Sequence, residues 1–405
     1  MASSSQSTRK SVFGSGKIEP IIARVVSKEY PPTGAGIGRT SYELVESLKR
    51  LGKPVDVVNE ITLSEETRPA YRRTPLFNQG ILGTYGFWKQ AIRYACSANR
   101  PSDFLWLHQP SGPPWVFRKH LSNYGRRVII TWHSTYFGWK KALLEARPSL
   151  QTITYYTVCS KFESSFVRSL KLFENVVFTG VSPHICDELR QQGGEDTEVT
   201  FIPNGLPDIA NLDLDPRHTT RKKFGLPSNA TIIVYVGSLT PIKQPLRILQ
   251  AYKVIREVDP STILIIIGSG PLYPLMKRIA ASRKDIVFFG HLDRLTILNI
   301  LKASDLFISF SLYEGLSNAE LEAASCGLPL LLSDIPSHRD LRDLQMAMVV
   351  LMKNKGDLDH KEVEEAYDKA KSIKTLGKMD CMDSGRKSDY AWQGICQRYL
   401  RLAQA

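Results

Sequence analysis

The chain has 405 residues, 42% of them apolar and 23% charged, and a formal net charge of +13. Its length favours two domains over one core, and the lack of any run of about 18 apolar residues argues against a membrane-spanning helix. The six cysteines include no C-x-x-C pair, which argues against a disulfide scaffold and favours a reducing cytoplasm. The charge predicts an anionic partner but does not distinguish a phosphate ligand, an acidic lipid surface and nucleic acid.

The predicted elements begin after a tail. Residues 1–17 are rich in Ser and Lys, lack the apolar core of a secretion signal, and are expected to be disordered. Beyond them, short β-branched runs alternate with helix-like segments. Runs that are apolar on both faces predict parallel sheets covered by helices on both sides. The predicted strands are residues 21–26, 55–58, 104–107, 128–131, 176–181, 199–202, 231–236, 262–267, 286–289, 306–310 and 329–332.

A polar, turn-rich segment separates the first six predicted strands from the last five. It begins with PNGLP at residues 203–207 and continues through Arg217. We therefore predict an α/β protein with two Rossmann-like, doubly wound parallel-sheet domains that face a cleft. Ligands of such sheets gather at the carboxyl ends of the strands, so the loops after the strands are the candidate binding segments.

The glycine-rich sequence GAGIGR, from Gly34 to Arg39, lies in one such loop. Its glycines have the spacing G-x-G-x-G, and Pro31 and Pro32 precede it. The dinucleotide fingerprint of dehydrogenases has the spacing G-x-G-x-x-G and follows a strand directly. A dehydrogenase is therefore disfavoured, and a plain turn before a helix remains an alternative.

Basic and aromatic residues are interspersed in the first half of the chain. Such mixing suits an interfacial surface, where rings lie at headgroup depth and cations meet lipid phosphates. Solvated charges beside ordinary core aromatics would give the same pattern. The residues concerned are Arg72, Arg73, Arg118, Lys119, His120, Arg126, Arg127, Lys140 and Lys141, with Phe77, Phe87, Trp88, Trp115, Phe117, Phe137 and Trp139.

Two glutamates, Glu314 and Glu322, flank a predicted helix start in the sequence YEGLSNAELEAASCGLP. On one helix they would be separated by about 12 Å, which exceeds the roughly 5–9.5 Å between the paired carboxylates of glycoside hydrolases. A hydrolytic acid/base pair is therefore disfavoured. A second interpretation makes Glu314 a helix-end charge and places Glu320 and Glu322 on a solvated face.

We predict instead that Glu314 ends the loop after the tenth predicted strand and that a helix begins directly after it. The first-turn amides of Leu316, Ser317 and Asn318 would then form an anion site that the helix dipole reinforces. With a diphosphate on these amides, Glu314 would lie on one side and Glu322, two turns further, on the other. A ligand made of a sugar, a diphosphate and a ribose fits this length.

The sequence EGLSNAELEAASCGLPLLLSD resembles the C-terminal motif of retaining glycosyltransferases of family 4. Segments similar to other motifs of the family follow in the expected order between residues 21 and 340: YPPTGAGIGR, VIITWH, FIPNG, VGSLTPIK, IGSGP and FFGH. The resemblance implies the GT-B fold, with an N-terminal acceptor-side domain at residues 18–205 and a C-terminal nucleotide-sugar-binding domain at 206–387. The sequence YAW and the residues after it look like the family's last helix, so 388–405 is expected to return to the first domain.

The resemblance also implies roles for the matching residues. His133 and Glu314 would hold the transferred sugar as catalytic residues, Lys243 would bind the diphosphate, and Glu322 would reach hydroxyls on the far side. Taken alone, the position of His133 after a buried strand also fits a structural histidine. No covalent enzyme nucleophile is expected, because in this family the acceptor attacks from the leaving-group side. The remaining donor-binding positions are Gly36, Ile37, Ser238, Gly268, His291, Leu316, Ser317 and Asn318.

Ser238 departs from the family pattern, in which an arginine is common at this position. A charge-assisted hydrogen bond contributes roughly 1.5–3 kcal/mol, so its absence would weaken donor binding unless another cation substitutes. The candidates are Arg39, Lys161 and Arg247. A catalytically impaired protein that binds sugar nucleotides or membrane surfaces is therefore the alternative function.

We expect a retaining, metal-independent hexosyltransferase that uses a nucleotide diphosphate sugar as donor and a lipid-linked or surface glycan as acceptor. The D-x-D pairs at Asp213 and Asp215 and at Asp357 and Asp359 lie outside the predicted strand-end loops, and no His or Cys cluster has ligand spacing, so no metal or other cofactor is expected. A nucleic-acid partner is disfavoured, because no recognition helix or aromatic base platform stands out. The expected location is cytoplasmic, on the inner face of an anionic membrane.

Overall fold

The computed structural model describes residues 21–30, 36–66, 80–97, 102–145, 149–353, 356–375 and 388–405. Within these ranges, the strands form two parallel sheets of six strands each, with helices between successive strands. The predicted fold class is therefore confirmed. The predicted tail at residues 1–17 lies outside the described residues.

The first sheet has the strand order β2-β1-β3-β4-β5-β6, and each neighbouring pair is parallel. Its strands are apolar runs because helices cover both faces; residues 128–132 of the central strand β4 are all buried. The elements are β1 (Ile21–Ser27), α1 (Gly36–Arg50), β2 (Val55–Val58), α2 (Glu60–Glu66), α3 (Gly80–Ala95), β3 (Ser102–His108), α4 (Pro114–Leu121), β4 (Arg127–Trp132), α5 (Tyr136–Glu145), α6 (Leu150–Leu170), β5 (Val176–Gly180), α7 (Pro183–Gly193) and β6 (Val199–Phe201).

The second sheet has the order β12-β11-β10-β7-β8-β9 and is also parallel throughout. Strand β12 was not predicted from the sequence; it is short and has a single neighbour at the edge of the sheet. The elements are α8 (Arg217–Lys223), β7 (Thr231–Val236), α9 (Pro245–Val258), β8 (Thr262–Ile267), α10 (Tyr273–Ile279), β9 (Ile286–Gly290), α11 (Arg294–Ala303), β10 (Leu306–Ser309), α12 (Asn318–Ser325), β11 (Leu330–Ser333), α13 (Pro336–Asp343), β12 (Val349–Met352) and α14 (His360–Thr375).

The last helix, α15 (Trp392–Gln404), packs against α1 and the first sheet rather than the second. The ring of Tyr399 lies 4.2 Å from that of Trp106 on β3, centroid to centroid. Trp392 occupies the space beside Gly205, where an added Cβ would come within 2.4 Å of the indole. We call the first sheet with α1–α7 and α15 the N-terminal lobe, and the second sheet with α8–α14 the C-terminal lobe.

No helix in the described ranges combines the length and the apolar character needed to cross a bilayer.

Candidate active site

The loops at the carboxyl ends of β4 and β10 bring the two lobes into contact. An added Cβ on Gly315 would lie 1.6 Å from the carbonyl oxygen of His133, so only glycine fits between these loops. The Thr135 N–H donates to the Tyr313 hydroxyl at 2.9 Å, and that hydroxyl donates to Glu188 at 2.7 Å. Thus the two predicted catalytic residues, His133 and Glu314, lie on loops that touch across the cleft.

Lys243 and Glu314 form an ion pair at this contact. Lys243 lies in the short 3-10 turn that follows β7, and Glu314 lies in the loop between β10 and α12. The Ser311 hydroxyl donates to the same carboxylate oxygen at 2.7 Å. Burial acts to raise the pKa of Glu314, but the neighbouring Lys243 and Ser311 outweigh it and hold this pKa below its ordinary value. The structure therefore brings the predicted lysine and the loop before α12 together.

Helix α12 begins at Asn318, with Ser317 as its N-cap residue. The Ser317 side chain makes no capping hydrogen bond, so the first turn of α12 has no side-chain cap. The Asn318 amide donates to the carbonyl of Gly36 at 2.9 Å and to the Thr40 hydroxyl at 3.1 Å. These contacts bring the first turns of α1 and α12 together. The carbonyl of Leu316, just before α12, accepts a hydrogen bond from Asn204 at 2.9 Å.

A chain of charged side chains also crosses the cleft. Arg294, the first residue of α11, donates to Glu322 at 2.9 Å and to Glu43 of α1 at 2.7 Å. Glu43 in turn pairs with Arg39. Burial raises the pKa of Glu322, and Arg294 partly opposes this effect. The sequence did not predict Arg294 or Glu43, and in this structure Glu322 is engaged by the arginine.

His133 is paired with a second histidine, His108, which ends β3. His108 Nδ1 lies 3.0 Å from His133 Nε2, and the rings are stacked with centroids 5.3 Å apart. The His133 backbone N–H donates to the Gln109 side chain at 2.8 Å. Burial lowers the pKa of His133 to about 3 and also lowers that of His108 strongly, so both rings are neutral near pH 7. His108 was missed, although its position directly after predicted strand 104–107 is a strand-end signal.

Next to this histidine pair lies a polar cavity of about 260 Å³, which we call the chamber. Ile37, predicted to bind the donor, lines it together with Lys28, His108 and Gln109. His108 Nε2 is buried and has no hydrogen-bond partner among the described residues. Leaving a buried polar atom unpaired costs free energy, and the His108 ring that carries this atom lines the chamber.

The loops after β7, β8 and β9 lie side by side. Gly268 has φ +136°, and an added Cβ would lie 1.9 Å from the carbonyl oxygen of Gly237. The Gly268 N–H donates to the carbonyl of Gly290 at 2.7 Å. Ser238 and His291, the next residues in the flanking loops, are both exposed at this edge. The predicted donor-binding positions Ser238, Gly268 and His291 are therefore neighbours.

The three cations proposed to replace an arginine at Ser238 are placed differently. Arg247 donates to the carbonyls of Lys353 and Gly356, and Lys161 lines a separate surface groove on the N-terminal lobe. Only Arg39 belongs to the cleft, through its pairing with Glu43. Arg39 is therefore the candidate that the contacts place among the charged residues of the cleft, whereas Arg247 bonds the segment after β12 and Lys161 lines the separate groove.

The solvated-face interpretation of the α12 glutamates is also wrong. Glu320 is 2% exposed and lies 3.1 Å from His338, and the side chain of Glu322 is 12% exposed. The sequence around α12 did not show the partners of these glutamates, because Arg294 lies in α11 and His338 lies in α13.

The basic–aromatic pattern of the first half has two components. Phe87, Trp88 and Phe117 are core residues, as the ordinary interpretation predicts, whereas Trp115 is 63% exposed. Arg118, Lys140, Lys161 and Arg168 line one surface groove beside Phe137. Arg72, Arg73 and Phe77 lie outside the described residues.

Among the described residues, no three His, Cys, Asp or Glu side chains are grouped so that they could hold a metal ion. Asp215, in one predicted D-x-D pair, uses its backbone N–H to donate to Asn299 at 2.7 Å.

Two doubly wound sheets whose strand-end loops meet at a lysine–glutamate pair are the architecture of GT-B glycosyltransferases. The family model described as "Glycosyltransferase Family 4" matches residues 34–208, and "Glycosyl transferases group 1" matches residues 216–354. The chain belongs to glycosyltransferase family 4.

Two curated relatives match parts of the chain. The UDP-Gal:alpha-D-GlcNAc-diphosphoundecaprenol alpha-1,3-galactosyltransferase of Escherichia coli is 37% identical over 34% of this chain and 37% of its own length. The GDP-mannose-dependent monoacylated alpha-(1-6)-phosphatidylinositol monomannoside mannosyltransferase of Corynebacterium glutamicum is 26% identical over 38% of this chain and 43% of its own length. The chain thus matches less than half of either relative.

Solved structures match nearly the whole chain. Sucrose-phosphate synthase from Thermosynechococcus elongatus has a TM-score of 0.68 at 16% identity, over 94% of this chain and 98% of its own. HepE from Anabaena in complex with UDP-glucose has a TM-score of 0.64 at 13% identity, over 94% and 99%. At sequence identities this low, the similarity to these structures shows the fold alone.

Proposed function

We propose that this protein transfers a hexosyl group from a nucleotide diphosphate sugar to a hydroxyl acceptor, with retention at the anomeric carbon. The observation that carries the proposal is the Lys243–Glu314 ion pair beside the start of α12, at the contact between the lobes. A lysine and a helix start without a side-chain cap both suit a diphosphate, which needs positive charge and N–H donors.

Departure of the nucleotide diphosphate builds negative charge on its oxygens. Lys243 and the first-turn amides of α12 are fixed donors that stabilise this charge, and the closed contact at Gly315 limits access of water. Before the diphosphate departs, Lys243 either leaves Glu314 to bind the diphosphate or contacts both groups at once. These groups supply the positive charge, so we propose that no metal ion is required.

Glu314 and His133 hold the transferred sugar from opposite lobes. With its pKa lowered to about 3, His133 acts as a neutral hydrogen-bonding group rather than as a cation. The acceptor attacks from the side of the leaving group, and the departing phosphate takes its proton. The family resemblance of the Glu314–Glu322 motif supports this retaining course.

The nucleoside is proposed to lie against the backbone of the Gly268 and His291 loops, with its ribose hydroxyls on Glu322. Because Glu322 is bonded to Arg294 in this structure, the ribose competes with or joins that arginine. Arg39 and Arg294 are the cations that we propose in place of the arginine absent at Ser238.

The proposed acceptor is a lipid-linked or surface glycan. Two relatives carry names that specify such acceptors, a diphosphoundecaprenol-linked sugar and a phosphatidylinositol mannoside. The basic groove formed by Arg118, Lys140, Lys161 and Arg168 would suit an anionic membrane surface. We accordingly propose a peripheral location on the inner face of a membrane, in the cytoplasm.

A second candidate is a catalytically impaired protein that binds sugar nucleotides, and Ser238 is the observation that favours it. Incubation with a radiolabelled nucleotide sugar, with and without an undecaprenyl-diphosphate-linked sugar, distinguishes the two. An active transferase releases nucleotide and labels the acceptor. Tight nucleotide binding without either product would favour the impaired protein.

Donor binding is tested by thermal unfolding with UDP, GDP, ADP and their sugars. A ligand at 100 times its dissociation constant stabilises by about 2.7 kcal/mol. We expect at least one nucleotide to raise the melting temperature of the wild type and of the control Lys361→Ala, whose lysine side chain is 82% exposed. Lys243→Ala should lose most of the shift. Equal shifts in all three proteins, or no shift with any nucleotide, would contradict the proposed donor site.

A further inference from the structure

An apolar cavity adjoins the chamber in the N-terminal lobe. Its volume is also about 260 Å³, and we call it the aromatic pocket. Thr84, Ser111, Tyr136 and Tyr155 line both the chamber and the aromatic pocket, so the two share a boundary. The chamber beside His108 and the aromatic pocket are therefore adjacent.

The two cavities differ in chemistry. The chamber is lined by Gln109 and by His108, which is bonded through Nδ1 to the predicted catalytic His133. The aromatic pocket is lined by Trp132, Phe162 and Phe166, with few polar groups. A polar hydroxyl is thus favoured at one end and a hydrocarbon at the other, because unpaired hydroxyl groups in an apolar pocket cost free energy.

The rim and the floor of the aromatic pocket also suit a hydrocarbon. Trp115 is 63% exposed at the rim, with its ring edge-to-face with Phe162 at 6.3 Å between centroids. Glu163 also lines the pocket but is 7% exposed, and its carboxyl accepts from the Phe137 N–H at 3.2 Å. Burial raises the pKa of Glu163 to about 8, so the pocket is uncharged near neutral pH.

We propose that the aromatic pocket binds the hydrocarbon chain of a lipid-linked acceptor whose hydroxyl-bearing head occupies the chamber. The inference rests on the proposed function and specifies its acceptor, an amphipathic molecule rather than a free sugar or a water-soluble glycan. The position of the apolar pocket directly beside the polar chamber favours this occupant. The chain would anchor the acceptor and hold its hydroxyl beside the histidine pair.

The test measures binding of methyl, hexyl and octyl β-D-glucoside by isothermal calorimetry, each below its micellar concentration. We expect the octyl compound to bind at least tenfold more tightly than the methyl compound, since each buried methylene adds about fourfold. Cys159→Phe places a phenyl ring in the aromatic pocket and should abolish the gain with chain length. Trp115→Ala removes the exposed rim and should reduce the gain several-fold. Ile279→Ala, which removes an exposed apolar side chain on the C-terminal lobe, is the matched control and should keep it.

Equal affinity for the three glucosides, or an equal gain in Cys159→Phe, Trp115→Ala and the control, would overturn the inference. So would maltose binding as tightly as octyl glucoside, because a sugar would then be the occupant of the pocket. The thermal shifts with UDP, GDP and ADP are measured on the same samples and report on the donor site separately. A shift with any of them but no chain-length gain contradicts the pocket alone, whereas no shift of the wild type with any nucleotide contradicts the proposed function.

Discussion

Each lobe has a glutamate at its proposed ligand-binding face, and the surroundings shift the pKa values of the two in opposite directions. Glu314 of the C-terminal lobe pairs with Lys243, which outweighs the effect of burial and keeps its pKa low. Glu163 of the N-terminal lobe lies in the aromatic pocket, and burial raises its pKa to about 8. One carboxyl is held charged, and the other is held neutral.

The difference indicates how the lobes divide recognition. The donor site proposed for the C-terminal lobe contains an ion pair, a helix start and loops in which glycines allow close contact, all of which suit a charged ligand. The acceptor site proposed for the N-terminal lobe contains aromatic rings, neutral histidines and an uncharged glutamate.

Glu163→Gln should have the largest effect, on stability. With a pKa of about 8 in the folded protein and about 4.3 when unfolded, the folded state holds the proton more tightly. The stabilising contribution of Glu163 to the free energy of unfolding is therefore fully present below the unfolded pKa, and it is lost as the pH rises toward 8. We expect wild type to lose on the order of 3 kcal/mol relative to Glu163→Gln between pH 5 and pH 8. Urea unfolding at the two pH values measures this difference.

Other groups also titrate over this range. The informative quantity is therefore the difference in unfolding free energy between wild type and Glu163→Gln at each pH, rather than the pH dependence of either protein alone. Burial lowers the pKa of His133 and gives it the opposite dependence, since its contribution is lost as the pH falls below about 6.5. Glu365→Gln alters an exposed glutamate and should track wild type. Parallel curves for wild type and Glu163→Gln would show that Glu163 is ionised in the pocket.

Glu314→Gln keeps the shape of the carboxyl but removes its charge. We expect turnover to fall by about 10²–10³-fold, the size typical of groups at a reacting centre, with little increase in the donor concentration required. Glu322→Gln should do the reverse and chiefly raise the donor KM. Steady-state kinetics separates the two effects. Wild-type kinetics in both variants would end the assignment of this pair.

The donor side was predictable because its signals are local. Glu314, Leu316, Ser317, Asn318 and Glu322 fall within nine consecutive residues, so spacing and the family resemblance describe them together. The family resemblance assigned Lys243 to the same site, and the structure pairs it with Glu314, which lies 71 residues away.

The contacts between lobes could not be predicted in this way. Glu43 and Arg294 are 251 residues apart, and each alone looks like a solvated charge. Their pairing depends on how two separately folded sheets dock, which no periodicity encodes. The aromatic pocket has the same origin, because Tyr85, Trp115 and Phe162 come from three helices and their aromatic character indicates only a core.

Gly315→Ala tests whether the lobe contact is needed for turnover. The new Cβ would overlap the carbonyl oxygen of His133 and push the two loops apart. Overpacking of this kind costs about 1–3 kcal/mol, so kcat/KM should fall by roughly 10- to 100-fold. Gly86→Ala is the matched control, because its Cβ would have no neighbour within 4 Å. Full activity in Gly315→Ala would mean that the lobes work without this contact.

Arg294→Met should have the smallest effect, and it examines a place where the N-terminal lobe, through Glu43, contributes charge to the donor side. Removal of the guanidinium leaves Glu43 and Glu322 without their shared partner, and their repulsion opposes a diphosphate nearby. We expect the donor KM to rise about tenfold, which corresponds to roughly 1.4 kcal/mol, and kcat to change little. Arg342→Met alters an arginine that pairs with the exposed Asp343 and should keep wild-type kinetics. If the donor KM instead falls, Arg294 competes with the ribose for Glu322. The donor would then displace the arginine when it binds, rather than be stabilised by it.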